Sequence, residues 1–191
     1  MSDKRNMGES RMGFLDRSHK VLMWTVAVLI LAYAPIARPI QKYLRELFTS
    51  ILGTEGMMIF VLSLFLIGSI VFVCVSRFWR LPLPRIITLI ILLASGVIYS
   101  FFLRLPEERI HLVEFGLLGI LACTSFRGRR SDNWIWIWKP LLFIFLVGSA
   151  DEIFQWFLPD RVFDLRDILF NTLGGIWGIW LYMGITWTIR E

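Results

Sequence analysis

The sequence is short of the residues that staple small proteins together. It holds two cysteines and two histidines in 191 residues. Cys74 and Cys123 stand in no metal-ligand spacing and imply no disulfide framework. Each reads as a small apolar core residue near the end of a hydrophobic block. There is no G-x-S-x-G nucleophile motif, no internal repeat, no low-complexity tract and no linker long enough to divide the chain. No basic helix carries interleaved aromatics, so the formal net charge of +5 does not point to nucleic acid. No ten-residue stretches alternate apolar with polar residues, which excludes the strands of an outer-membrane barrel.

What the chain has instead is apolar bulk. Hydrophobic residues make up 57% of it and aromatic residues 15%. They come in long blocks with few charges, the pattern of membrane-spanning helices. A span needs about 20 residues, and six blocks come close: 21–36, 56–75, 85–103, 110–126, 134–158 and 168–188. In lipid each must be a helix, because only a helix satisfies its own backbone. The expected fold is therefore all-α, a polytopic transmembrane bundle of about six spans.

Residues 1–20 are polar and basic, with Lys4, Arg5, Arg11, Arg17 and Lys20. They are expected to form a disordered or surface-lying tail ahead of a single transmembrane domain, 21–191. Residues 1–36 also have the layout of a secretory signal, ending in Ala32, Tyr33 and Ala34. Pro35 directly after the supposed cut, and the spans that follow, favour an uncleaved first span. Beyond it, Ile40, Tyr43, Leu44 and Leu47 recur at helical spacing, with Lys42, Arg45 and Glu46 between them. That pattern predicts a short, separate amphipathic helix in the membrane interface.

Lysine and arginine set the expected orientation. One side collects twelve, from the N-terminal tail, Arg77, Arg80, Arg85, Arg127, Arg129, Arg130 and Arg190. The other collects seven: Arg38, Lys42, Arg45, Arg104, Arg109, Arg161 and Arg166. Both termini are expected in the cytoplasm, in the cytoplasmic (inner) membrane of the cell. Trp134, Trp136 and Trp138 then open the fifth span as an inner aromatic belt.

Ionisable residues inside spans are costly and are functional candidates by default. Here they converge on the outer side. His111 and Glu114 stand three apart at the outer end of the fourth block. Asp151, Glu152 and Gln155 lie at the outer end of the fifth, and Arg161 is in the loop after it. Asp164, Asp167 and Asn171 share one face at the start of the sixth. Blander roles exist for several of them. Asp164 with Asp167 resembles a capping box with Asp in place of Glu. Asn171 can serve as interhelical glue, and Gly174-xxx-Gly178 as a close-packing face. Arg161 can anchor a headgroup, and Glu107, Glu108 and Asp160 are expected to be solvated.

These residues carry a resemblance. Residues 108–119 read E-R-I-H-L-V-E-F-G-L-L-G. Residues 151–175 read D-E-I-F-Q-W-F-L-P-D-R-V-F-D-L-R-D-I-L-F-N-T-L-G-G. Together they resemble the VanZ-like family of bacterial integral membrane proteins, with a motif core over 108–178. Two positions depart from that pattern: Asp160 stands where Gly is usual, and Glu108-Arg109 replaces Asp-Lys before the His. The resemblance implies an extracytoplasmic role in the bacterial cell envelope. The family's namesake is associated with resistance to the glycopeptide antibiotic teicoplanin.

Three functions fit this pattern. In the first, a polar pocket open to the outer face binds a lipid headgroup or another envelope component through Gln155, Arg161 and Asn171. In the second, the protein is a membrane enzyme acting on a phosphorylated or lipid-linked envelope substrate. His111, Glu114, Asp151, Glu152 and Asp167 are then the catalytic candidates. Asp151, Glu152 and Asp167 are hard oxygen donors for a divalent cation such as Mg²⁺, although no metal signature is present. The third is a proton-coupled transporter, the weakest of the three, because the polar residues gather at one face and no inverted repeat is evident. The expected partners are membrane lipids and an envelope lipid or glycopeptide-related ligand, not nucleic acid.

Overall fold

The computed structural model describes residues 2–53, 55–78, 82–102, 106–127, 134–159 and 161–186. Among them the chain forms α1 (Ser2–Leu52), α2 (Gly56–Phe78), α3 (Leu83–Phe102), α4 (Pro106–Phe126), α5 (Trp138–Trp156) and α6 (Leu165–Thr186). A 3-10 turn, Trp134–Ile137, runs directly into α5. No strand occurs among the described residues, and the protein is an all-α membrane bundle. Among the described residues, four helices hold a stretch long and apolar enough to cross a bilayer: residues 17–36, 83–100, 109–126 and 165–186.

The pattern on α5 shows what surrounds the bundle. Its inward stripe runs through Pro140, Ile144, Val147, Gly148, Asp151, Glu152 and Gln155. Its outward face carries Leu146, Phe154 and Trp156, each more than half exposed. Near its C-terminal end the helix thus buries its charges and exposes its apolar side chains. Water would reverse that arrangement, and lipid favours it.

Residues 2–20, expected as a disordered or surface-lying tail, are helical, and one expectation is corrected: no separate interfacial helix follows the first span. α1 is continuous from Ser2 to Leu52, with Pro35 and Pro39 inside it. Residues 2–20 hold no proline and many good helix formers, so nothing stops the helix before the apolar block. The periodicity of residues 40–47 simply continues the helix of the span. A proline in mid-helix costs one backbone bond and crowds the preceding turn, but spanning helices tolerate it where neighbours compensate. α1 ends only at Gly53, whose φ of 79° supplies the left-handed residue that closes a helix. The N–H of Gly53 donates to the carbonyl of Thr49 at 3.0 Å, and Phe48 stacks on Phe60 at 4.2 Å to start α2.

α4 is the axis of the bundle and touches all five other helices. Phe115 and Leu118 on it are completely buried. They join Met23, Ala27 and Ile30 of α1, Phe143 and Ile144 of α5, and Ile179 of α6 in one core. The α4–α6 contact is made backbone to backbone through glycine. A Cβ on Gly178 would overlap the Gly116 carbonyl, and one on Gly119 would overlap that of Gly175. A Cβ on Gly174 would lie 3.2 Å from the Leu112 backbone. α3 is pinned to the same helix by Trp177, whose indole N–H donates to the Leu92 carbonyl at 2.8 Å.

Candidate functional site

The hairpin of α5 and α6 is built around one carboxylate. α5 stops before Pro159, with Leu158 N–H bonded to the Gln155 carbonyl at 3.0 Å. Asp164 then caps α6: its Oδ1 accepts the N–H of Arg166 at 2.8 Å. The N–H of Asp164 itself donates to Oε1 of Glu152 at 2.7 Å. A capping box in sequence gives that acceptor role to the third residue of the helix, here Asp167. In the fold, Glu152 of α5 takes it. The acceptor comes from a neighbouring helix, so it fixes the register of α5 against α6 and places a carboxylate at the positive end of the α6 dipole.

The other polar residues sit on the inward faces of their helices. Asp151 is 1% exposed, Glu152 2%, Gln155 4% and Asn171 1%. One turn apart on α5, Gln155 Nε2 donates to Asp151 Oδ2 at 2.9 Å. Gly148 makes room for Asn171, since a Cβ there would stand 3.1 Å from the Asn171 Cβ. On α4, His111 Nδ1 lies 3.5 Å from Glu114 Oε2, and both side chains are about a quarter exposed.

These elements meet. Glu114 lies within electrostatic range of Asp151. Arg161 is in range of His111, Asp151 and Glu152, and Asp167 of Asp151 and Glu152. The start of α4, the end of α5 and the start of α6 therefore share one end of the bundle. The side chains of Glu107 and Glu108, and residue Asp160, lie outside the described set.

The profile of the VanZ/LLP1 family matches residues 20–188. The chain belongs to the VanZ/LLP1 family. The match takes in the whole of α2 to α6 and the apolar stretch of α1, and leaves the first 19 residues outside it. No curated protein matches the chain, and no solved structure matches it.

In this VanZ/LLP1 protein the buried cluster is not closed on itself. Glu152 Oε2 and Asn171 Oδ1 are buried and have no hydrogen-bond partner among the described residues. A buried polar atom left unpaired costs about 1–3 kcal/mol, and such atoms gather where something else is to be bound. Among the described residues, no three side chains of His, Cys, Asp and Glu are arranged to hold a metal ion, Asp151, Glu152 and Asp167 included.

Two neighbours of the site escaped sequence reading. Tyr33 of α1 lies in electrostatic range of Glu114, yet it stands in an apolar block with nothing to mark it. Arg109 looked like a loop cation, but it is 5% exposed. Its Nε donates to the Ser100 carbonyl at 2.8 Å, at the C-terminal end of α3. The signal available was its position one turn into a proline-started helix.

Proposed function

We propose that this VanZ/LLP1 protein binds the polar head of an envelope lipid or lipid-linked component, in a pocket that opens to the outer face of the cytoplasmic membrane. The observation that carries the reading is the pair of unpaired buried acceptors, Glu152 Oε2 and Asn171 Oδ1, inside a cluster with a carboxylate excess. Glu114, Asp151, Glu152 and Asp167 stand against Arg161 and His111. Acceptors of this kind call for donors, such as the hydroxyls of a sugar or an ammonium group. Arg161 suits a phosphate beside them. Holding such a component alters the surface met by a glycopeptide such as teicoplanin, which is the route to a resistance role.

The test is mass spectrometry of the lipids and cell-wall precursors that co-purify with the protein. The wild type is expected to carry a polar envelope species that Asp151→Asn loses. The same lipid profile from both proteins removes the basis for the pocket. Orientation has its own test, by thiol labelling from outside intact cells in a Cys74→Ser background. Glu107→Cys is expected to label and Ser131→Cys is not. Equal labelling of the two overturns the assignment of both termini to the cytoplasm.

One observation supports a second reading, an enzyme on a phosphorylated or lipid-linked substrate. His111, about a quarter exposed, has the Glu114 carboxylate 3.5 Å from Nδ1, a neighbour that suits an imidazole acting as a base. Turnover of a lipid phosphate that His111→Ala abolishes, with ligand retention intact, selects this reading over simple binding.

A further inference from the structure

A cavity of about 330 Å³ lies at the opposite end of the bundle, between the first turns of α3 and the last turns of α6. Gly184 lies about 20 Å along α6 from Asn171, at about 1.5 Å per residue, so this cavity is remote from the carboxylate site. Its size falls at the lower end of the ligand-pocket range, about 300–1,000 Å³.

The lining is apolar with one cation. Leu92, Trp180 and Met183 form walls, and Gly184 lets α6 pack closely on α3 at the floor, since a Cβ there would stand 3.1 Å from Leu89 and 3.3 Å from Leu92. The Thr88 hydroxyl is already committed to the Pro84 carbonyl at 3.0 Å. Arg85 is the charged member, and its side chain makes no hydrogen bond or ion pair among the described residues. Nor do the two helices that form the groove offer it a carboxylate at this end. No Asp or Glu occurs from Gly56 to Pro106, which spans α2, α3 and their connection, and none occurs on α6 after Asp167. Trp180 is 55% exposed at the rim, and an indole there suits the interface between headgroups and hydrocarbon.

From this we infer that the α3–α6 groove is a binding site for an anionic phospholipid of the adjoining leaflet. One acyl chain lies against Leu92, Trp180 and Met183, and the phosphate rests on the Arg85 guanidinium. The charge complementarity selects the occupant: an apolar groove takes any acyl chain, but a cation that pairs with no carboxylate among the described residues favours a lipid with net negative charge.

The test uses the full-length protein in detergent, with phosphatidylglycerol or phosphatidylcholine of identical chains added and retained lipid counted by native mass spectrometry. The wild type is expected to retain phosphatidylglycerol in preference. Arg85→Gln lowers that retention about fivefold, the usual worth of one basic residue near a membrane surface, and leaves phosphatidylcholine unchanged. Thr88→Phe, at an exposed lining position, fills the groove with the charge intact and lowers phosphatidylglycerol retention as well. Equal retention of the two lipids by the wild type overturns the proposal, as does an unchanged preference in Arg85→Gln. Full retention in Thr88→Phe also overturns it, because the lipid is then held on the surface and not in the groove.

Discussion

Replacing Gly178 with leucine is expected to prevent the bundle from folding. The first carbon of the new side chain falls on the Gly116 carbonyl of α4, so there is no rotamer to choose and no flexible side chain to move aside. Overpacking costs about 1–3 kcal/mol where neighbouring side chains yield, and here backbone must move, which puts the cost at or above the top of that range. The loss spreads, because α4 contacts every other helix. Lipid tails are as apolar as leucine, so the helices are held by close packing and not by a hydrophobic drive. Separating α4 from α6 also parts the ends that carry His111 and Glu114 from those that carry Asp167 and Asn171. The expected readout is loss of monodisperse protein in detergent. Gly174→Leu, where the first contact is 3.2 Å from Leu112, is expected to fold with a lowered melting temperature. Gly68→Leu on α2, with nothing within 4 Å, is expected to melt like the wild type. A Gly178→Leu protein that also melts like the wild type would show that glycine packing does not hold α4 to α6.

The parts of this fold that were legible in the sequence are those governed by transfer from water to lipid. Apolar blocks of span length mark α2 to α6 to within a few residues, because the hydrocarbon sets the length and few charges interrupt it. The glycines at 174 and 178 were legible as a packing face for the same reason, since small residues have little other use there. The convergence of His111, Asp151, Arg161 and Asp167 at one bundle end followed from alternating helix direction. Continuity was not legible. Two prolines between an apolar block and an amphipathic one suggest two helices, and only the packed neighbours decide whether the backbone bends or breaks. Partnership was not legible either. Asp164 is the α6 cap that its position suggested, but the acceptor for its N–H comes from Glu152, twelve residues earlier and on another helix. Sequence patterns reveal contacts within a helix, and Glu152 acts between helices.

Glu152 is accordingly the residue whose two substitutions should differ most. Glu152→Gln keeps an oxygen for the Asp164 N–H and removes one negative charge from the neighbourhood of Asp151 and Asp167. Glu152→Ala removes the oxygen as well, leaving the start of α6 without its acceptor from α5. Loss of a cap costs about 1 kcal/mol, and an N–H left unpaired in a partly buried place costs about 1–3 kcal/mol. A chain of this size loses about 2–4 °C of melting temperature per kcal/mol. The alanine variant is therefore expected to melt several degrees below the wild type, and the glutamine variant at or above it, since relief of carboxylate repulsion favours the folded state. Ligand retention should follow a different order. If Glu152 Oε2 is the acceptor that a bound headgroup satisfies, both variants lose the co-purifying species, the stable glutamine variant included. Stability bought at the cost of binding is the mark of a functional site. Equal destabilisation by both substitutions would mean that the charge, and not the acceptor, holds α6. Full ligand retention in Glu152→Gln would assign Glu152 to the hairpin alone and leave Asp151, Gln155 and Asn171 as the binding surface.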